Sequence, residues 1–302
     1  MGVVQVAEAS EPSARRGAIR AAVVALRPRQ WSKNLLLFAG IVFAAKLGDS
    51  GRWLAAIGAF AAYCAASSAA YLVNDVRDRA ADRSHPTKRA RPIARGELAP
   101  GAAIRLAAVL VTGAFAAAGL LGPWAVLFLA GFVALQAAYT LTLKHVVLLD
   151  VAAIAALFVL RAGAGAEAVN VRISPWLLAC TALLALFLAL AKRRSELVLV
   201  GAELTPGRRV LEGYSVRLCE RLLQGAAVAT VLAYTAYTLT SRDSKAMTAT
   251  IPFVVAGVGR YLHLVHRHDL GEEPENVLLR DRPLLAAITA WVVVAAVLLA
   301  TT

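Results

Sequence analysis

The chain has 302 residues, 59% of them hydrophobic, with 32 Lys and Arg against 19 Asp and Glu and a formal net charge of +13. Charged residues make up only 17%, too few to cover such an apolar majority as a soluble globule, and the composition disfavours both disorder and a nucleic-acid-binding tail. The class that remains is an integral membrane protein with basic loops, whose partners include the lipid bilayer and no nucleic acid.

Residues 1–29 read as a basic cytoplasmic arm. Arg15, Arg16, Arg20, Arg27 and Arg29 are not followed by the short apolar segment and small-residue cleavage site of a signal peptide. Nine apolar runs follow, to be weighed against the roughly 17–20 residues that a helix needs to cross hydrocarbon. They run from Asn34 to Leu47, Arg52 to Val73, Gly101 to Leu121, Pro123 to Leu143, Val146 to Ala166, Pro175 to Ala191, Leu222 to Thr240, Met247 to Val265 and Leu284 to Thr302, the first being the shortest.

Loop charge tests both the count and the orientation, because basic residues concentrate on the cytoplasmic side. With the N-terminus inside, 25 Lys and Arg fall at inner ends and only Lys46, Arg52, Arg172, Arg242 and Lys245 near outer ends. One missed crossing would invert every later loop. The fold expected is therefore an all-α integral membrane protein with nine transmembrane helices, a cytoplasmic N-terminus and a single domain over residues 30–302, in the plasma membrane. Cys64, Cys180 and Cys219 lie far apart and read as small buried side chains.

The stretch Tyr71-Leu72-Val73-Asn74-Asp75-Val76-Arg77-Asp78-Arg79-Ala80-Ala81-Asp82 closes the second run. If that helix continues past the membrane surface, Asn74, Asp78 and Asp82 share one face with Tyr71 a turn earlier, and Asp75 points about 100° away as the weaker candidate. Oxygen ligands of this kind suit Mg²⁺, which is usually held by one or two carboxylates together with substrate phosphates and water. A salt-bridged helix end with Arg77, Arg79 and Arg83 is the bland alternative. The following run, His85-Pro86-Thr87-Lys88-Arg89-Ala90-Arg91-Pro92, sets cations beside the same surface and favours a metal-diphosphate site.

The pattern Asn-Asp-x-x-Asp-x-x-x-Asp with its sequel Lys-Arg-x-Arg-Pro-Ile resembles the UbiA superfamily of intramembrane prenyltransferases, over nearly the whole chain. The resemblance implies a nine-helix UbiA-like bundle with its active site at the cytoplasmic side. Members that prenylate aromatic rings carry a second acidic motif after the sixth helix, whereas this chain has Ala191-Lys192-Arg193-Arg194-Ser195-Glu196-Leu197 there. Such a cluster would repel a second Mg²⁺ and grip phosphate through paired guanidinium contacts.

That exchange, with Arg27-Pro28-Arg29-Gln30-Trp31-Ser32-Lys33-Asn34, Tyr139-Thr140-Leu141-Thr142-Leu143-Lys144-His145 and the acidic stretch from Glu272 to Pro283, resembles the branch of the superfamily that moves phosphoribose onto decaprenyl phosphate. The resemblance implies phosphoribosyl pyrophosphate as donor, a polyprenyl phosphate as acceptor, Mg²⁺ as cofactor and a place in making cell-wall arabinan precursors. The site residues expected are Asn74, Asp78 and Asp82 for metal; Asp78, Asp82, Lys144 and Arg161 for catalysis; and Lys33, Tyr71, Lys88, Arg91, Tyr139, Lys144, Asp150, Arg161, Lys192, Arg193, Arg194 and Glu196 for substrate. Asp150 and Arg161 lie too far apart on one helix to pair, so each must find a partner elsewhere. An aromatic prenyltransferase is the runner-up and a lipid transporter or flippase a third reading. The sequence leaves the oligomeric state open, a homo-oligomer included.

Overall fold

Every predicted apolar run after the first is a helix in the computed structural model, which describes residues 11–43, 48–85, 87–201, 209–240, 245–268, 277 and 280–301. Eight helices among the described residues are long and apolar enough to cross a membrane, and the protein is an integral, multi-pass membrane protein. In chain order the elements are α1 (Glu11–Ala25), a 3-10 helix over Pro28–Phe38, α2 (Ala39–Phe43), α3 (Ser50–Arg77), α4 (Arg79–Ser84), α5 (Pro92–Arg95), α6 (Pro100–Leu121) and α7 (Pro123–Leu141). They continue with a 3-10 turn over Leu143–His145, α8 (Leu149–Ala168), α9 (Pro175–Gly201), α10 (Val216–Thr240), α11 (Ile251–His268) and α12 (Arg282–Thr301).

Local chemistry sets the helix ends. Proline occupies the first turn of α5, α6 and α7, where its missing N–H is not needed and its fixed φ suits a helix. The Asp49 side chain accepts the Arg52 N–H and caps α3, as an acidic N-cap does. Ser215 accepts the Leu218 N–H and starts α10 before the first residue of the predicted run, Leu222. Gly122, at φ 126°, makes the one-residue joint between α6 and α7 with a backbone open to glycine.

The first run differs in kind from the others. Its residues wind as the 3-10 helix and the short α2 rather than as one long helix, and residues 44–47 lie outside the described residues. Close packing explains the departure. A Cβ on Gly165 of α8 would meet the Leu37 carbonyl oxygen at 2.2 Å, and one on Gly40 would meet the Ala166 Cα at 2.7 Å. Two glycines therefore let these backbones touch. Gly165→Ala must push them apart, at a cost of at least about 1–3 kcal/mol, read as a lower unfolding midpoint in detergent.

More than half of the span residues of α3 and α8 are buried, against fewer than a fifth in α6, α7 and α12. The first two therefore form the centre of the bundle. Around them lie two large apolar clusters. One joins α3, α6, α7 and α8 and contains the Tyr63 and Phe132 rings, 4.9 Å apart. The other joins α8 to α12 and contains Phe187 and Tyr261, edge to face at 5.4 Å. Leu54, Val109, Leu120 and Leu232 point outward, as lipid-facing side chains should. A third cluster binds Ala21 and Ala25 of α1, within the predicted basic arm, to Leu72 of α3 and Ile93 of α5.

Candidate active site

Asp78 interrupts the long helix at φ −86°, ψ 4°, yet the i to i+4 register survives the break. Its N–H donates to the Asn74 carbonyl at 2.8 Å and its own carbonyl accepts from Asp82 N–H at 2.8 Å. Asn74 Nδ2 donates to Asp78 Oδ2 at 3.0 Å. Lys144 Nζ, on the turn after α7, lies 3.8 Å from the same oxygen. The Asp78 side chain is 34% exposed, so a carboxylate, a side-chain amide and an ammonium meet at an approachable corner.

Asp82 departs from the expected ladder. It is 3% exposed and accepts from Arg91 Nη1 at 2.7 Å. The same nitrogen donates to Asp75 Oδ1 at 3.1 Å, and Arg27 Nη2 donates to that oxygen at 2.5 Å. Asp75, expected to be the weaker candidate, is buried at the centre of this network, with the Arg27 guanidinium stacked 4.8 Å over the Tyr71 ring. The bend at Asp78 and the draw of Arg91 together turn Asp82 toward Asp75. Among the described residues no three of His, Cys, Asp and Glu form a metal-holding group.

The corner still fits Mg²⁺ chemically. Asp78 carries hard oxygen ligands, the Asn74 amide that donates to it carries another, and a magnesium site ordinarily takes only one or two carboxylates, the rest coming from phosphate and water. Asp82, tied to Arg91, is a poorer ligand than its spacing suggested.

The cations in the C-terminal third of α9 are placed otherwise than as open phosphate grips. Arg193 is 1% exposed; its Nε donates to Asp150 Oδ2 at 2.6 Å and its Nη1 to Glu196. Arg194, also buried, donates to Glu220 at 3.2 Å and to the Val265 carbonyl at 2.9 Å. A buried charge is stable only when paired, and these two are paired within the chain. Lys192 is half-buried beside them, and Tyr139 lies within electrostatic reach of Arg193.

Asp150 thus finds its partner on α9, and a second one in Tyr214. The Tyr214 hydroxyl donates to Asp150 Oδ1 at 2.5 Å and accepts the Leu148 N–H at 2.8 Å. Burial, reinforced by that carboxylate, holds the Tyr214 hydroxyl well above its ordinary pKa, so it stays a donor. Leu148 sits at φ 66°, ψ −36°, a strained backbone for leucine. Its bond to Tyr214 pins the turn that carries Lys144 to Asp78. Tyr214→Phe is expected to slow turnover by roughly 10- to 100-fold through misplacement of Lys144, with a loss of only about 1–3 kcal/mol in stability. An unchanged rate in a folded variant would contradict this.

Arg161 lies deeper in α8. Its Nε donates to Asn34 Oδ1 at 2.7 Å and its Nη1 to the Leu157 carbonyl at 3.0 Å, with its guanidinium 4.6 Å over the Phe132 ring and 5.3 Å over Phe158. These partners are an amide, a carbonyl and two aromatic faces, and they clamp α8 to the 3-10 helix. Lys33 donates to Gln30 at 2.5 Å. Lys88 lies beside Arg91 along one cleft. The acidic stretch from 269 to 276 and Arg208 lie outside the described residues.

Sequence reasoning passed over Arg27, Asn34, Tyr214 and Glu220. Arg27 stood in a quoted motif directly before a proline, and that was a usable signal. Tyr214 and Glu220 gave none, because their importance comes from partners on other elements.

The UbiA prenyltransferase family model matches residues 35–280. The decaprenyl-phosphate phosphoribosyltransferase of Mycobacterium tuberculosis is 37% identical over 280 residues, covering 89% of this chain and 91% of the relative. The protein of the same name from Mycolicibacterium smegmatis is 34% identical over 310 residues, covering 97% of each chain. Among solved structures, a UbiA homolog from Archaeoglobus fulgidus bound to GPP and Mg²⁺ matches with a TM-score of 0.71 and 16% identity, covering 93% of this chain and 100% of that chain. At that identity the likeness is one of fold.

Proposed function

The chain belongs to the UbiA prenyltransferase family, and from that premise we propose that it transfers 5-phosphoribose from phosphoribosyl pyrophosphate to a polyprenyl phosphate, decaprenyl phosphate above all, and releases pyrophosphate. The observation that carries this reading is the exchange at the end of α9, where Lys192, Arg193 and Arg194 stand in place of a second acidic motif and two of them are bound to Asp150, Glu196 and Glu220. One carboxylate corner then serves one diphosphate. The 34–37% identity to relatives named for this transfer supports the same substrates.

In the reaction, a lipid phosphate oxygen attacks the anomeric carbon of the ribose while the bond from that carbon to pyrophosphate breaks, the bonding pair leaving with the pyrophosphate. The second pKa of a phosphomonoester is about 6, so the nucleophile is already ionised and needs no histidine base. Bond breaking passes through an oxocarbenium-like state, and in-line attack inverts the carbon. Asn74 and Asp78 would hold Mg²⁺, which when bound neutralises the charge growing on the leaving group. Lys144 adds a cation at the same corner. Asp75 and Asp82 align Arg27 and Arg91, and Arg161 with Asn34 keeps the interior in register.

We further assign the N-terminus and the site to the cytoplasmic face of the plasma membrane, on the charge asymmetry, and a ninth crossing to the segment that includes α2. The lipid product would feed cell-wall arabinan synthesis. The test is pyrophosphate release by the purified protein. It should require phosphoribosyl pyrophosphate, polyprenyl phosphate and Mg²⁺ together. Turnover with a polyprenyl diphosphate and an aromatic acid instead would contradict the assignment.

A further inference from the structure

Arg27 holds a backbone conformation that a residue before proline rarely takes. Its φ of 54° and ψ of 60° lie in the left-handed region, unfavourable for any residue with a Cβ, and Pro28 would ordinarily push it toward an extended form. Strain of this kind persists where surrounding contacts over-determine it, and it gathers at ligand clamps.

The surrounding contacts are those of Asp75. One oxygen of this buried carboxylate accepts from Arg27 Nη2 at 2.5 Å and from Arg91 Nη1 at 3.1 Å. It thereby draws together two guanidinium groups that would otherwise repel. Each is about a quarter exposed, 27% for Arg27 and 25% for Arg91. Toward the described residues each uses a single nitrogen in its hydrogen bonds out of a group with five N–H donors. Both line a cleft of about 360 Å³, with Thr87 and Lys88 beside them and Val24 on one wall. The two carboxylates that engage Arg91, Asp75 and Asp82, are 2% and 3% exposed, so neither is offered to a metal.

We propose that this cleft is a metal-independent subsite for a phosphomonoester, in which Arg27 and Arg91, set side by side by Asp75, grip one phosphate by their forks. The inference rests on the phosphoribosyl-transfer reading, which brings two monoesters to the enzyme besides the pyrophosphate at the Asn74–Asp78–Lys144 corner. One is the 5-phosphate of the donor and the other the phosphate of the lipid. Both share the chemistry that the cleft recognises.

The test uses the full chain in nanodiscs, with ribose 5-phosphate and farnesyl phosphate as probes, titrated calorimetrically in EDTA. At least one probe should bind without Mg²⁺. Arg27→Gln should weaken it by about tenfold or more, and Arg27→Lys, which keeps the charge without the fork, should fall between. Loss confined to ribose 5-phosphate assigns the cleft to the donor; loss confined to farnesyl phosphate assigns it to the lipid. Unchanged affinity for both probes in a folded Arg27→Gln protein overturns the proposal, as does binding that needs Mg²⁺. Should Arg27→Gln unfold, Thr87→Val and Lys88→Met on the cleft wall are read the same way, and full affinity in both overturns it. Probe binding here without pyrophosphate release from phosphoribosyl pyrophosphate sustains the cleft and refutes the transfer reading.

Discussion

Asp78→Ala is expected to lower pyrophosphate release by at least about a thousandfold, equivalent to roughly 4 kcal/mol of transition-state stabilisation, while the protein stays folded. Three observations lead there. Asp78 is the carboxylate at the corner that combines exposure, an adjacent amide and a nearby ammonium, its side chain being 34% exposed and 3.8 Å from Lys144. Among the described residues its side chain engages only groups of that corner, Asn74 Nδ2 and the part-exposed Lys144, so its loss leaves no fully buried charge unpaired. The neighbouring carboxylates behave differently. Asp75→Ala and Asp82→Ala each strip a buried partner from Arg91 and should lower stability together with rate. The comparison is made by assaying release and the unfolding midpoint of all three variants in one detergent. A folded Asp78→Ala protein at the full rate would remove Asp78 from the chemistry.

Asp150→Ala should be the most damaging of the polar substitutions for stability. Asp150 is fully buried and holds both Arg193 and the Tyr214 hydroxyl. Removing one member of a buried ion pair costs about 3–5 kcal/mol, because the other is left in a medium that does not solvate it. Arg193→Ala should cost a similar amount and leave Asp150 and Glu196 facing each other. Replacing both partners at once, Asp150→Leu with Arg193→Met, should recover the part of the loss that belongs to the pair itself, since apolar residues of similar volume need no counter-charge, while Glu196 and the Tyr214 hydroxyl still lose their partners. Denaturation of the single and double variants measures this coupling directly. Additive losses would mean that the pair is not the structural unit described here.

These two sites also divide what the sequence displays from what it hides. The Asn74–Asp78 pair follows from four-residue spacing on one helix, a local rule that the break at Asp78 does not disturb. Eight spans were legible because apolar length and basic loop ends are also local properties. The partners of Arg193 were not. Asp150 is 43 residues away and Tyr214 lies 64 residues from Asp150, so only the folded bundle pairs them. The α9 cations read as phosphate grips because charge is visible in sequence and neutralisation is not. Asp75 read as the weaker candidate for the same reason, its importance coming from Arg27 on the far side of the first run. The 3-10 winding of Pro28–Phe38 answers to Gly165 on α8, more than a hundred residues later.

The most direct measurement follows the ribose itself. Purified protein is incubated with phosphoribosyl pyrophosphate labelled in the ribose ring, decaprenyl phosphate and Mg²⁺, and the reaction is partitioned between water and organic solvent. The account predicts that the label enters the organic phase in step with pyrophosphate release, one for one. Label that stays in water while pyrophosphate is released, or no release at all from a folded and Mg²⁺-supplied protein, would contradict it.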